Sequence, residues 1–403
     1  MIRKSVLAVM SIMAIVLGCV VVTSPASAVI DSAVVVPSPS PGINGNFPTS
    51  VSCVTVSFCV ATGYYYTGSV SLTLVEQWDG ANWTVIPSPG PGTGGNNLNS
   101  VSCVTVSFCV ATGWYYNGST NQTLVGQWDG ANWTLIPSPN TGSRDNFLVS
   151  VSCVTVSFCV STGYYDNGST NQTLIEQWDG ANWTLIPSPN IGASGNNLTS
   201  VSCVTVSFCV TTGSYNNGSA SQTLVEQWDG ANWTVIPSPN TGTDGNFPTS
   251  VSCATVSFCV TTGYYSNGST NKTLVEQWDG ANWTVIPSPN TGTGTTGNFL
   301  NSVSCATVSF CITTGFYENG SATQTLVEQW DGASWTILPS AGPGTGSNTL
   351  NSVSCVAVSF CIATGWYYSA PATQTLMMSL TGPVPPTTTT TMPSDRVAPA
   401  FTG

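Results

Sequence analysis

The chain has 403 residues, with 17 acidic and 5 basic side chains, no histidine, and 5% charged against 10% aromatic residues. Nucleic-acid binding is excluded, as is attachment to an anionic membrane surface, because no cationic patch exists to displace counterions. Without histidine, Ser-His-Asp and Cys-His nucleophile arrangements are excluded too. Disordered chains combine high charge with few aromatics, and this composition reverses both, as expected of a folded, neutral-polar, extracellular protein.

Arg3 and Lys4 precede an uncharged run over 5–22, followed by Ser24-Pro25-Ala26-Ser27-Ala28. This order reads as a secretory signal peptide over 1–28, cleaved after Ala28. Two other readings stay open. The apolar run is just long enough for an uncleaved membrane anchor, and Val16-Leu17-Gly18-Cys19 loosely matches a lipidation site at Cys19. Cleavage after Ala28 removes the unpaired cysteine and leaves 14. It also leaves Arg144, Lys272 and Arg396 against 17 acids, a net charge of −14, with no membrane insertion expected.

From residue 29 to 380 the chain repeats one unit. Ser-Val-Ser-Cys recurs with Cys53, Cys103, Cys153, Cys203, Cys253, Cys305 and Cys355, at spacings of 50, 50, 50, 50, 52 and 50. In the first unit, 50–54, 58–66, 72–78 and 83–86 are short β-branched and aromatic runs bounded by Gly, Asn, Pro and Ser, a strand pattern without helical period. Four strands in about 50 residues is the size of a propeller blade. Each unit closes on Gln77-Trp78-Asp79-Gly80-Ala81-Asn82-Trp83 or its copy. Asp-Gly between such runs predicts a hairpin whose turn residues both tolerate positive φ, with Trp78 and Trp83 as a cross-strand pair.

The seventh unit lacks its fourth strand, and Ala33-Val34-Val35-Val36-Pro37-Ser38-Pro39 matches Trp83-Thr84-Val85-Ile86-Pro87-Ser88-Pro89 position for position apart from the tryptophan. The expectation is an all-β, seven-bladed β-propeller of four-stranded antiparallel blades, closed by the N-terminal strand pairing in the last blade. Such closure removes exposed sheet edges.

The order of strands, Asp-Gly turn and Trp strand resembles Asp-box (BNR-type) and kelch-like propeller repeats over about residues 33–380, and the whole unit is similar to repeats in secreted proteins of actinobacteria. Here Asp79 and Gly80 are adjacent, with no serine at the usual Asp-box place. Sialidases, the familiar Asp-box enzymes, are expected to hold a carboxylate with an arginine cluster. This chain has only Arg144 and Arg396 outside 1–28, so that activity does not carry over.

Every unit carries Cys-x5-Cys, and an even count at fixed spacing in an exported chain reads as disulfides: Cys53–Cys59, Cys103–Cys109, Cys153–Cys159, Cys203–Cys209, Cys253–Cys259, Cys305–Cys311 and Cys355–Cys361. Each closes a short loop worth roughly 2 kcal/mol on the loop-entropy estimate. Zinc would require two pairs to converge, so no metal or cofactor is expected.

With four-strand connectivity, the loops after the second strand and the long Pro-Ser-Pro connections share one face, where binding residues usually sit. Tyr65, Trp114, Tyr115, Tyr164, Tyr215, Tyr264, Tyr317 and Trp366 are the candidate ligand-binding side chains there. Rings with amide and hydroxyl groups suit a neutral glycan, while packing between blades, with Asn-Gly making the turns, is the reading the residues favour. Glu76, Glu176, Glu226, Glu276 and Glu328 recur at one strand position, with Gly126 in the second unit, and Asp79 recurs at one turn. Catalytic carboxylate pairs need unlike environments, so periodic acids read as structural.

From 381 to 403 the chain turns Pro/Thr-rich, a stalk ending in a faint likeness to a cell-wall sorting signal. The expectation is a secreted or cell-surface, monomeric, non-catalytic binding or scaffold propeller, with an extracellular glycan or cell-wall polymer as partner. A glycan-active hydrolase or lyase and a purely structural surface repeat are the alternatives.

Overall fold

The computed structural model describes residues 29–383 except 193, 292–296 and 341. The expected signal peptide and nearly all of the stalk lie outside the described residues. The described chain forms 28 strands in seven antiparallel four-stranded blades. In blade 1 these are Gly45–Thr55, Phe58–Tyr66, Ser71–Trp78 and Trp83–Val85, paired in chain order.

The first strand is longer than the repeat signal suggests. It starts at Gly45 because Asn46 and Phe47 already pair with Tyr65 and Tyr64, before a register shift between Pro48 and Ser50. That bulge dictates the glycine of Thr62-Gly63 and its copies on the other second strands. A Cβ on Gly63 would stand 2.2 Å from the Phe47 carbonyl oxygen, and on Gly163 1.9 Å from that of Phe147.

First strands of neighbouring blades pack on one another as the inner ring. At every junction two backbone N–H groups of one first strand donate to serine hydroxyls of the preceding blade. Val101 and Cys103 donate to Ser50 and Ser52 at 3.2 and 3.0 Å. The same pair of bonds repeats round the ring to Val51 and Cys53 donating to Ser352 and Ser354. The last bonds join the first blade to the seventh, so the ring closes.

The N-terminal strand Ser32–Val36 completes blade 7, with Ala33 opposite Leu380 and Val36 opposite Met377. Leu380 and Ala33 occupy the register positions of Trp78 and Trp83. The volume left by two missing indoles is filled by Ile30, 4% exposed, packed with Phe310, Met378 and Leu380. Its N–H donates to Gln329 Oε1 at 2.8 Å.

The tryptophan clasp forms as expected, with the rings of Trp78 and Trp83 5.6 Å apart and Trp78 Nε1 donating to the Val56 carbonyl at 3.1 Å. Its turn differs from the primed form. Among the described residues only glycines adopt positive φ, Gly80 at 97°. Asp79 instead caps the loop, its Oδ1 accepting the N–H groups of Ala81 and Asn82 at 2.8 and 2.7 Å. A short side chain that hydrogen-bonds its own backbone holds this turn without a left-handed residue at its first position.

All seven cysteine pairs are joined between directly opposite residues of the first and second strands. Such a set fits an oxidising, extracellular setting. No helix among the described residues is long and apolar enough to cross a membrane. Because Ile30 plugs the seam that closes the ring, Ile30→Ala should lower stability by about 2–5 kcal/mol, read as a lowered denaturation midpoint in guanidinium. A midpoint equal to that of the parent chain would show that the plug does not hold the last blade.

Candidate functional site

Antiparallel connectivity brings the loops after the second strand and the connections between blades to one face, opposite the Asp-Gly turns. Each connection is clasped by a buried asparagine at the start of the next first strand. Asn46 Oδ1 accepts the Gly42 N–H at 2.7 Å and its Nδ2 donates to the Gly42 carbonyl at 2.9 Å. Asn96, Asn146, Asn196, Asn246 and Asn348 repeat the clasp.

The residue after this asparagine, and the one opposite it on the second strand, decide what each junction presents on the loop face. Three junctions are aromatic. Between blades 7 and 1, Trp366 meets Phe47 at 6.1 Å and Phe47 stacks on Tyr64 at 5.2 Å. Between blades 2 and 3, Trp114 meets Phe147 at 5.7 Å, and Phe147 lies 5.1 Å from Tyr164. Between blades 5 and 6, Tyr264 meets Phe299 at 4.9 Å, and Phe299 stacks on Phe316 at 4.7 Å. All these rings are half-buried. Burial raises the phenols of Tyr64, Tyr164 and Tyr264 above their ordinary range, with smaller contributions from Tyr66 at Tyr64 and from Asp145 at Tyr164.

At three other junctions the first-strand residue is polar and bonds to a residue near the start of the preceding blade's third strand. Ser71 donates to Asn97 Oδ1 at 2.7 Å, Asn171 to Asn197 Oδ1 at 2.9 Å, and the hydroxyls of Thr323 and Thr349 are 3.4 Å apart. At the junction of blades 4 and 5, Phe247 stacks only on Tyr264 of its own blade, at 4.9 Å, and blade 4 carries Ser214 where other blades carry a ring.

The eight candidate residues therefore divide into two sets. Trp114, Tyr164, Tyr264 and Trp366 stand in the aromatic junctions. Tyr115, Tyr215 and Tyr317, one residue further on, point to the other sheet surface and pack against the cores between blades. Tyr65, in the same phase, lies against Gly42 of the incoming connection. The phenylalanines of the first strand were not among the candidates. Their signal was an aromatic at a position that is Asn or Thr in other units.

The repeated glutamates lie inside the blades, fully buried. Ser138 donates to Glu176 Oε2 at 2.7 Å, Ser188 to Glu226 at 2.7 Å and Ser288 to Glu328 at 2.8 Å, always from the Pro-Ser-Pro segment of the preceding blade. Ser38 serves Glu76 and Ser238 serves Glu276 in the same way. Where the acid is missing, at Gly126 and at Met378, the matching serines Ser88 and Ser340 turn to Thr73 and Thr325 of their own blades, at 2.8 and 3.0 Å. The second carboxyl oxygen of each glutamate has no hydrogen-bond partner. Burial pushes these acids up, to about 8 for Glu76, Glu176 and Glu328 and about 7 for Glu226 and Glu276, against a smaller lowering by the serines. They are buried hydrogen-bonding parts that ionise far less readily than ordinary carboxylates, rather than charges facing a substrate.

The turn aspartates are exposed, and backbone N–H bonds hold Asp79 and its copies below the usual carboxylate range. Among the described residues no group of three or more acids and cysteines could hold a metal. The 350 Å³ hollow where Ile186-Pro187-Ser188-Pro189 meets Ala231-Asn232-Trp233 offers no free ring, since Trp233 is buried.

No family model matches the chain, and no curated protein matches it. Among solved structures it is similar to YCF48 bound to D1 peptide, at 11% identity, covering 88% of this chain and 100% of that one with a TM-score of 0.55. It is also similar to the GH74 xyloglucanase of Xanthomonas campestris, at 11% identity, covering 83% of this chain and 55% of that one with a TM-score of 0.53. The protein is a seven-bladed β-propeller, and likeness at this identity carries the fold alone.

The buried acids set a pH dependence. An unfolded glutamate ionises near 4.5, the folded ones only near 7–8, so between those values the native state binds more protons. Stability should be full below about pH 4.5 and fall as pH rises towards 8, each acid contributing up to about 1.4 kcal/mol per pH unit. The lowered turn aspartates act oppositely, losing their contribution only as pH falls below about 3.8. Thermal melts from pH 4 to 9 should show this slope. Changing all five glutamates to glutamine should flatten it, and an unchanged slope would refute the assignment.

Proposed function

We propose that this is an exported, non-catalytic propeller that binds a neutral glycan on its loop-rich face. One observation carries the reading: half-buried aromatic rings meet across three junctions on a face with few charges, beside amide and hydroxyl groups. Ring faces suit the C–H surfaces of sugars and the amides suit their hydroxyls, as in other sites that mix apolar walls with a few polar groups. The periodic acids support a binding rather than catalytic role, because they are buried inside blades or stand singly on the opposite face. A xyloglucanase and a propeller carrying a bound peptide share the fold, so the scaffold is compatible with glycan recognition. The likeness to repeats of secreted actinobacterial proteins and the seven disulfides support export, with 1–28 as leader and the Pro/Thr-rich end as a surface stalk.

A glycan array probed with the parent chain should give binding to neutral glycans. Tyr64→Ala, Trp114→Ala and Tyr164→Ala should each weaken it severalfold without loss of folding by circular dichroism. No binding to any glycan would leave the molecule as a surface scaffold. The exported chain should begin at Val29 by N-terminal sequencing, and an intact Met1 would refute cleavage.

A further inference from the structure

Six of the seven junctions fall into two kinds by the residue that follows the clasping asparagine, a ring contacted from the preceding blade or a short polar side chain, and the polar kind shows what folding requires. Ser71–Asn97, Asn171–Asn197 and Thr323–Thr349 close their junctions with hydrogen bonds between short side chains. Around them the serine bonds and asparagine clasps recur almost unchanged. Phenylalanine at this first-strand position of the other three junctions is therefore not needed to hold blades together. The rings there also remain half-buried on the loop face, unlike the clasp rings of Trp78 and Trp83, which are buried.

We propose that the junctions of blades 7 and 1, 2 and 3, and 5 and 6 are three separate sites of one kind, each taking a short segment of neutral glycan. This rests on the reading of the loop face as a glycan-binding surface. Each site combines a ring from one blade with a stacked or tilted pair from the next: Trp366 with Phe47 and Tyr64, Trp114 with Phe147 and Tyr164, Tyr264 with Phe299 and Phe316. Charge selects the neutral class. The described cations are Arg144, already 3.5 Å from Asp166, and Lys272, against Asp145, Asp166, Asp244 and Glu318 in the same loops, so an acidic sugar would be repelled. Three similar sites on one rigid ring let a repetitive polymer bind far more tightly than its fragments, because the second and third contacts are intramolecular.

The test uses the full chain and neutral tetrasaccharides from cellulose, mannan, xylan and galactan, titrated by calorimetry. The parent should bind one of them with three equivalent sites per chain. The double variant Phe147→Asn with Tyr164→Ser gives blade 3 the residues of blade 4, and Asn121 already stands where Asn171 does, so a polar junction can form. That variant should melt within about 3 °C of the parent, show two sites, and lose at least tenfold in affinity for the parent polysaccharide. The reverse variant, Asn197→Phe with Ser214→Tyr, should raise the count to four. Binding with an unchanged site count in both variants would overturn the three-site assignment while leaving the loop face as a glycan surface. No binding of any tetrasaccharide or its polymer by the parent would overturn both.

Discussion

The structure depends on the pair of hydroxyl bonds between successive first strands. An inner strand is paired on one edge only, and its other edge presents N–H groups to the neighbouring blade. Left without partners in a packed junction, each such donor would cost about 1–3 kcal/mol. Ser50 and Ser52 of one blade answer Val101 and Cys103 of the next, and the pattern runs round to Ser352 and Ser354 answering Val51 and Cys53. A ring gives this pair of donors a partner in every blade, whereas an open arc of blades would leave one pair bare. Six further side chains strengthen the same junctions, Thr49 donating to the Leu98 carbonyl at 2.7 Å and Asn351 to that of Pro48 at 2.8 Å, while Val149 at the matching place in blade 3 has nothing to donate.

Closure then explains the unlike ends of the chain. Blade 7 has neither indole of the clasp, and Ile30 supplies apolar volume from outside the strand that completes the blade. Ser38, two residues beyond that strand, also serves Glu76 of blade 1. The N-terminal segment thus takes over both tasks of an ordinary fourth strand: filling its own blade and holding the buried acid of the next.

How much of this was legible depended on the distance between partners. The repeat, the borrowed strand, the cysteine pairs and the Trp78–Trp83 clasp involve residues close in sequence or matched by a simple shift, and all can be read without coordinates. Ser-Val-Ser marks the repeat, but its bonding role cannot be read from the sequence because its partners lie about 50 residues away in the next unit. The glutamates were recognisable as structural from their period, but not their serine partners 38 or 40 residues earlier. The aromatic candidates mixed two sheet surfaces, although period-two alternation separates Tyr64 from Tyr65. Phe47 was overlooked because the first strand was started too late, past the bulge that brings it opposite Tyr64.

The buried acids and the loop face follow from the same geometry. A carboxyl buried where one blade meets the next is poorly solvated as an anion, so five of the 17 acidic residues are pushed up to about 7 or 8 there. The interior of the ring is thereby nearly identical from blade to blade and cannot distinguish one junction from another. Differences between blades can accumulate only where the serine bonds have ended, beyond the asparagine clasp on the loop face. Aromatic and polar pairs alternate there until an odd number of blades leaves Phe247 facing Ser214 without a cross-blade ring. Any specificity this propeller has must reside in that outer layer, because the layers beneath it are fixed by the requirements of closing the ring.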